Sequence, residues 1–255
     1  MKKPNVTIII SNYNYGEYVL DAINSALKQT YPCKVVVIDD GSTDHTKSII
    51  SAVYYFDALL KTNDGFDVLS GDQIDFIVTP NRGASAARNT AISWAWPSTD
   101  VFAILDADDM YGPNKVERLV EALSKHDEIG VAYADYIIER TGDQKYVKYE
   151  YKHPYSLQEL KQHCIVHSGA LIKKKYLEKV ILPNGEIYDT KLHGPLSKGF
   201  VGCTEDYDLW LRLARQCVMV HVPEPLSIVR ETGKNQSMRM TQDIFNNNMG
   251  IIQSR

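Results

Sequence analysis

The sequence predicts an α/β fold: a mostly parallel sheet flanked by helices, with a smaller antiparallel region toward the carboxyl end. Three observations predict it. Short apolar runs alternate with helical stripes through the first half, the runs end in polar or acidic residues, and the alternation stops near residue 130. Strands that alternate with helices form a parallel sheet covered on both faces.

The elements follow in order. Val6 to Ile10 reads as a buried strand, and Glu17 to Lys28 as a helix with Val19, Ala22, Ile23, Ala26 and Leu27 on one stripe. Lys34 to Ile38 is a second strand, ending at Asp39-Asp40-Gly41-Ser42. Ser42, Thr43 and Asp44 open a helix through Ile49, Ile50 and Val53. Asp75 to Val78 is a third strand, and Gly83 to Trp94 an alanine-rich helix stopped near Pro97. Val101 to Leu105 is a fourth strand, followed by a helix begun by Pro113 with Val116, Leu119, Val120 and Leu123 as its apolar face. Beyond it, Val131 to Ile138 and Lys145 to Tyr151 read as antiparallel strands, and Glu205 to Arg215 as a helix among loops.

At 255 residues the chain can bury a sizeable core. Its net charge of −4 gives no bulk reason to expect nucleic acid, so a nucleic-acid acceptor is not indicated. Apolar runs of about five residues fall far below the roughly 20 needed to span a bilayer, and Met1-Lys2-Lys3-Pro4 leads into a strand rather than a secretory signal. Cys33, Cys164, Cys203 and Cys217 show no CxxC spacing, and His163-Cys164-x-x-His167 lacks a second ligand pair at a zinc spacing. Reduced thiols and a cytoplasmic location are expected, with peripheral membrane contact compatible.

The most informative segment is Ile104-Leu105-Asp106-Ala107-Asp108-Asp109. Aspartates in a run often only solvate a turn. These three stand at the carboxyl end of a buried strand, where open α/β sheets bind ligands, and their mutual repulsion suits a hard cation such as Mn²⁺ or Mg²⁺. The two acids after the second strand suggest a dinucleotide dehydrogenase, but Ser11-Asn12-Tyr13-Asn14-Tyr15-Gly16 after the first contains no GxGxxG. Without that loop, a metal on the acid cluster is the alternative holder of a diphosphate.

Five motifs in order, Val6 to Asn14, Val37 to Asp44, Asn81 to Asn89, Leu105 to Asp109 and Glu205 to Trp210, resemble the motif series of the family 2 glycosyltransferases. The resemblance implies a GT-A fold, Rossmann-like in its sheet, that transfers a sugar from a nucleotide diphosphate donor, with a lean to UDP. It implies inversion at the anomeric carbon and a glycan or glycoconjugate acceptor, as in polysaccharide biosynthesis. Residues 1–125 would be the nucleotide-sugar half, 126–235 the acceptor and catalytic half, and 236–255 a tail. By position, Ser11 and Tyr13 would contact the nucleoside, Asp40 a pyrimidine imide hydrogen and Asp106 the ribose. Arg88 would reach the donor side from among Ala84, Ala87 and Ala91, Arg82 is a weaker match, and Asp39 would hold the turn. Asp108 and Asp109 would hold the metal.

Direct displacement needs a base, and helical geometry selects among Glu205, Asp206 and Asp208. Asp206 tops the stripe Leu209-Trp210-Leu213, whereas Asp208 pairs with Arg212 as a solvated i,i+4 pair. Asp206 is therefore the expected general base, with His167, Glu205 and Trp210 on the acceptor side. Relatives place a histidine near the carboxyl end; here Arg230 to Ser237 has none, which leaves His193, His221 or water to complete a metal shell. Gly194 to Gly202 reads as a loop that could close over the site. A non-catalytic sugar-nucleotide module and a metal-dependent phosphatase with Asp106 as nucleophile are the competing readings.

Overall fold

The computed structural model describes residues 3–140, 146–192, 204–232 and 248–252. Four parallel strands form its centre: β1 (Val6–Asn12), β2 (Cys33–Asp40), β5 (Ile74–Thr79) and β6 (Val101–Asp106), in spatial order β5-β2-β1-β6. Among the described residues the sheet has 11 strands, extended on one side by the hairpin β3 (Ala58–Lys61) and β4 (Asp67–Ser70). On the other side stand β10 (Leu171–Lys173), β8 (Ile129–Arg140), β11 (Val218–Glu231) and β7 (Met110–Tyr111), with β9 (Tyr146–Glu150) antiparallel to β8. The helices are α1 (Val19–Leu27), α2 (Thr46–Val53), α3 (Ala84–Ala95), α4 (Lys115–Ser124), α5 (Leu157–Leu160), α6 (Lys174–Leu177) and α7 (Thr204–Leu213). The expected α/β architecture and the antiparallel β8–β9 pair are present.

The central strands are apolar throughout because both faces are covered. Ile9, Val36 and Ile38 point toward α3 and α7, while Ile8, Ile10, Val35 and Val37 point toward α1 and α4. The stripes Val19-Ala22-Ile23-Ala26 and Val116-Leu119-Val120-Leu123 are buried as their spacing demands. Near the 3₁₀ turn at Trp96–Ser98 the Trp96 ring stacks on Phe102. No helix among the described residues is long and apolar enough to cross a membrane.

Three elements depart from the sequence expectation. The second helix begins at Thr46 because Ser42, Thr43 and Asp44 form the preceding turn: Ser42 Oγ and the Thr43 amide bond Asn14, and Asp44 accepts from Gly16 and Thr46. Val53, the last residue of that helix, is 55% exposed. The β3 residues Ala58-Leu59-Leu60-Lys61 are all exposed on a sheet edge, so no inward pattern marks the strand. β11 is the long strand that the sequence hides. Pro223 and Pro225 lie inside it, at positions where its pairing with β8 shifts register, and that pairing is parallel rather than antiparallel.

Because β1, β2, β5 and β6 run parallel, their carboxyl ends share one rim. Gly41 closes the β2 end there with φ +74°, and a Cβ on it would lie 2.6 Å from the Asn81 amide nitrogen. Gly41→Ala is expected to cost roughly 1–3 kcal/mol through the strained φ and the displaced β5 end. A urea melt reads the loss directly, and an unchanged midpoint would refute the assignment.

Candidate active site

The rim opens on a cavity of about 380 Å³, lined by Ser11, Tyr13, Asp40, Arg88, Asp106, Asp108, Asp109, His167, Glu205 and Asp206, among others. Residues distant in the chain thus meet as the sequence expected. β1 and β6 register Ser11 beside Asp106, and β2 and β5 register Asp40 beside Thr79. Both Asp40 oxygens accept amide hydrogens, from Arg82 at 2.8 Å and Gly83 at 2.8 Å, so the carboxylate fixes the turn into α3 while facing the cavity. Asp39 is fully buried and holds Asn12 Nδ2 (2.9 Å) together with Ser42, the structural part expected of it. Arg82 stacks on Phe66 and donates to Thr90.

Beyond β6, the Asp109 amide donates to the Asp106 carbonyl and closes a turn that crowds three carboxylates. Burial, then the charge of Asp106, pushes Asp108 up to about 7, against hydrogen bonding that includes the Tyr15 side chain and against the Arg230 charge. Asp109 is held well above the usual carboxylate range by burial, then by Asp108 and Asp106, although the Arg230 amide donates to it at 2.9 Å. Beneath the cluster lies Lys115, buried, donating to Ser227 Oγ at 2.6 Å and lying 3.8 Å from the centre of the Tyr111 ring. Burial depresses its pKa to about 7, with Asp109 acting in opposition. Carboxylates that resist ionisation until countercharge arrives fit a divalent cation. Among the described residues no group of three or more His, Cys, Asp or Glu side chains forms a protein cage for one, so the donor set suits an ion completed by phosphate oxygens and water.

Opposite stands Arg88, whose guanidinium meets three acids. Nη2 bonds Asp106 at 2.8 Å, and Nη1 bonds Glu205 at 3.0 Å and Asp206 at 3.3 Å. Burial opposes the charge, but Asp206, Asp106 and Glu205 outweigh it and hold the guanidinium above its ordinary range. Small neighbours on α3 give the side chain this path, with Ala87 buried beside it. Arg88 therefore clamps the acid cluster to α7. Glu205 is 2% exposed and turned to Arg88, while Asp206 is the more accessible of the two at the cavity wall.

Two sequence expectations on α7 are corrected. Trp210, expected on the acceptor side, is fully buried in the core and does not line the cavity. The inward stripe of α7 continues past the cavity into the sheet-facing core. The Asp208–Arg212 pair exists at 2.8 Å but is buried, not solvated; Arg212 also donates to the Val180 and Ile187 carbonyls and fixes the segment beside α7. His221 is corrected too, since it bonds Asp135 at 2.8 Å and stacks on Tyr133 away from the acids. His193, the Gly194 to Gly202 loop and Ser237 lie outside the described residues.

His167 lines the cavity, its ring 4.6 Å from that of Tyr136. Its Nδ1 accepts from the Gly169 amide at 3.0 Å, which assigns the proton of the neutral ring to Nε2. Burial, reinforced by Lys115 and Lys152, keeps the ring neutral by lowering its pKa well below the ordinary value. Sequence reasoning gave no role to Tyr15, Asn81, Tyr136 or Lys152 on the wall, while Ser168 follows His167 in the segment read as the acceptor side. Tyr15 and Asn81 carried a signal, Tyr15 in the polar segment that ends β1 and Asn81 at the start of the third motif.

A family model, Glycosyl transferase family 2, matches residues 7–181. The chain belongs to glycosyl transferase family 2. An uncharacterized glycosyltransferase of Rickettsia conorii is 31% identical over 232 residues, covering 88% of this chain, which spans only 33% of that protein's length. Staphylococcus aureus TarS, solved with UDP, has a TM-score of 0.66 at 15% identity, covering 97% of this chain and 64% of its own. A mannosyltransferase of Pyrobaculum calidifontis, solved with GDP-Man and Mn²⁺, has a TM-score of 0.59 at 21% identity over 90% of this chain and 57% of its own. The fold is GT-A. The family match holds the rim and the acid cluster but stops before α7.

Two outcomes are expected of this geometry. Arg88→Met leaves buried carboxylates without their cation and should cost about 3–5 kcal/mol near neutral pH. That deficit should narrow as acid protonates the cluster, and denaturant melts across pH would show it. Asp108, raised from the ordinary ~3.9 to about 7, contributes stability that is complete below about pH 4 and lost as pH rises through about 7. Metal-free Asp108→Asn should therefore melt above the parent at pH 8, with the advantage shrinking toward pH 4.

Proposed function

We propose that this family 2 chain transfers a sugar from a nucleotide diphosphate donor, UDP-linked by preference, to a hydroxyl of a glycan or glycoconjugate, with inversion. The observation that carries the reading is the meeting of Asp206 with Asp106 across Arg88, in the cavity that also bears the acid pair Asp108–Asp109. TarS with UDP and the archaeal mannosyltransferase with Mn²⁺ support the choice of donor and ion.

Ser11, Tyr13 and Asp40 line the side that would receive the nucleoside, the tyrosine ring against the base. Asp106 would accept the ribose hydroxyls. Asp108 and Asp109 would hold Mn²⁺ or Mg²⁺, which supplies charge stabilisation to the departing diphosphate when bound. On the opposite wall Asp206 accepts the proton of the acceptor hydroxyl. As that oxygen bonds to the anomeric carbon, the bond from this carbon to the diphosphate oxygen breaks, and the nucleoside diphosphate leaves with both electrons. Arg88 holds Asp206 in place at 3.3 Å, and Glu205 shares the guanidinium so that Arg88 cannot swing away. Ser168, whose hydroxyl reaches Asp106 at 3.4 Å, and His167 border the acceptor side. Domain limits follow the same division, with residues 1–125 serving the donor and 126–235 the acceptor.

Asp206→Asn should lower the turnover of a UDP-sugar with its acceptor by ~10² to 10⁴. Binding of UDP with Mn²⁺, followed by calorimetry, should persist. Near-normal turnover would remove Asp206 from the mechanism, and loss of UDP binding would show a donor-side role instead.

A further inference from the structure

We propose that the acceptor carries an anionic group, a carboxylate or a phosphate, close to its reacting hydroxyl, and that Lys152 receives it. The inference rests on the glycosyl-transfer reading above and adds the class of acceptor.

Three observations carry it. First, Lys152 lines the cavity, half-buried, and its ammonium has no carboxylate within ion-pair distance among the described residues. The nearby acids are already engaged, Glu150 by Lys148 at 3.0 Å and Asp135 by His221 at 2.8 Å. Its ammonium lies 5.2 Å from the centroid of the Tyr136 ring. Second, the lysine is held in place. Its backbone amide donates to buried Asp135 at 2.6 Å, and Tyr136 in turn packs on His167, which lines the same cavity. Third, the position is on the acceptor side. Lys152 shares the cavity with Cys164, His167, Ser168 and the proposed base Asp206.

Burial lowers the Lys152 pKa, and the groups opposing that effect are Cys164, Glu150 and Asp135 rather than the rim acids. An ammonium drawn out of water without a partner is a cost that a ligand anion removes. The donor diphosphate has its own candidate seat at Asp108 and Asp109, which leaves the acceptor to supply the charge. Rim acids would repel an anion near Asp106, so Lys152 also selects which end of the acceptor enters.

The test titrates the full chain, with and without UDP and Mg²⁺, against methyl glucuronide, methyl glucoside, glycerol 3-phosphate and glycerol by ligand-observed NMR. An anionic member of at least one pair should bind about ten-fold or more tightly than its neutral partner. The glucuronide and phosphate arms tell the two anions apart. Lys152→Met should erase the preference, Lys152→Arg should keep it, and neither should change UDP affinity. Equal binding of anionic and neutral members, a preference that survives Lys152→Met, or a Lys152→Met defect confined to UDP would each overturn the proposal. Failure of the parent chain to bind UDP would instead count against the donor reading, since the titrations without UDP still report the acceptor preference.

Discussion

One guanidinium holds the candidate site together. Arg88 reaches from α3 to Asp106 at the end of β6 and to Glu205 and Asp206 at the start of α7, so a strand, two helices and both sides of the cavity meet on one planar group. Three carboxylates against one cation leave a net negative charge in a mostly buried place. Such an arrangement is costly in itself, because desolvation offsets much of the attraction. Its value lies in position. A lysine, with a point charge and no fork, cannot address three acids in fixed directions, and α7 would lose its register against the rim.

The same physics operates on the other wall with the opposite balance. Asp108 and Asp109 are crowded, desolvated and pushed toward the neutral form, and the counterweights present are a tyrosine hydroxyl, a backbone amide and a lysine whose own pKa burial depresses. The fold therefore tolerates a local electrostatic strain at the rim and spreads its relief over β11, α1 and α4. Arg230 shows how. Its amide serves Asp109, while its guanidinium turns outward to Asp21 at 2.8 Å and Glu139 at 3.3 Å, so the charge steadies the strand without filling the cation's place.

Much of this was legible in the chain, for physical reasons that also mark where reading fails. The central strands announce themselves because burial on both faces demands unbroken apolar runs, and the acids that end β6 must lie on the rim once those strands are parallel. That Asp206 lines the cavity was legible because helical spacing sets it above Leu209 and Leu213. The same spacing misled for Trp210, since an inward stripe does not say whether a residue faces a cavity or the solid core, and here Trp210 faces the core. An i,i+4 spacing foretold the Asp208–Arg212 pair but not its burial, which depends on carbonyls from Val180 and Ile187 that no local pattern records. Tyr136 and Lys152 were beyond reach: one lies where β8 runs out toward β9, the other in an irregular segment, and only β8 to β11 pairing and the Asp135 contacts set them beside His167.

The family match ends at residue 181, yet the register of α7 is set by contacts beyond that point or across it. Trp210 anchors the helix in the core, Arg212 ties it to the segment around residues 180–187, and Asn248 donates to Thr204 at its first turn at 2.7 Å. The proposed donor and acceptor sides thus rest on different kinds of constraint. The rim follows from the parallel sheet, which any chain of this fold must build. The acceptor wall follows from side-chain clasps that can change singly without disturbing the sheet. A charge such as Lys152, pinned by one aspartate and one aromatic neighbour, is therefore a feature that a single substitution can remove without disturbing the rim.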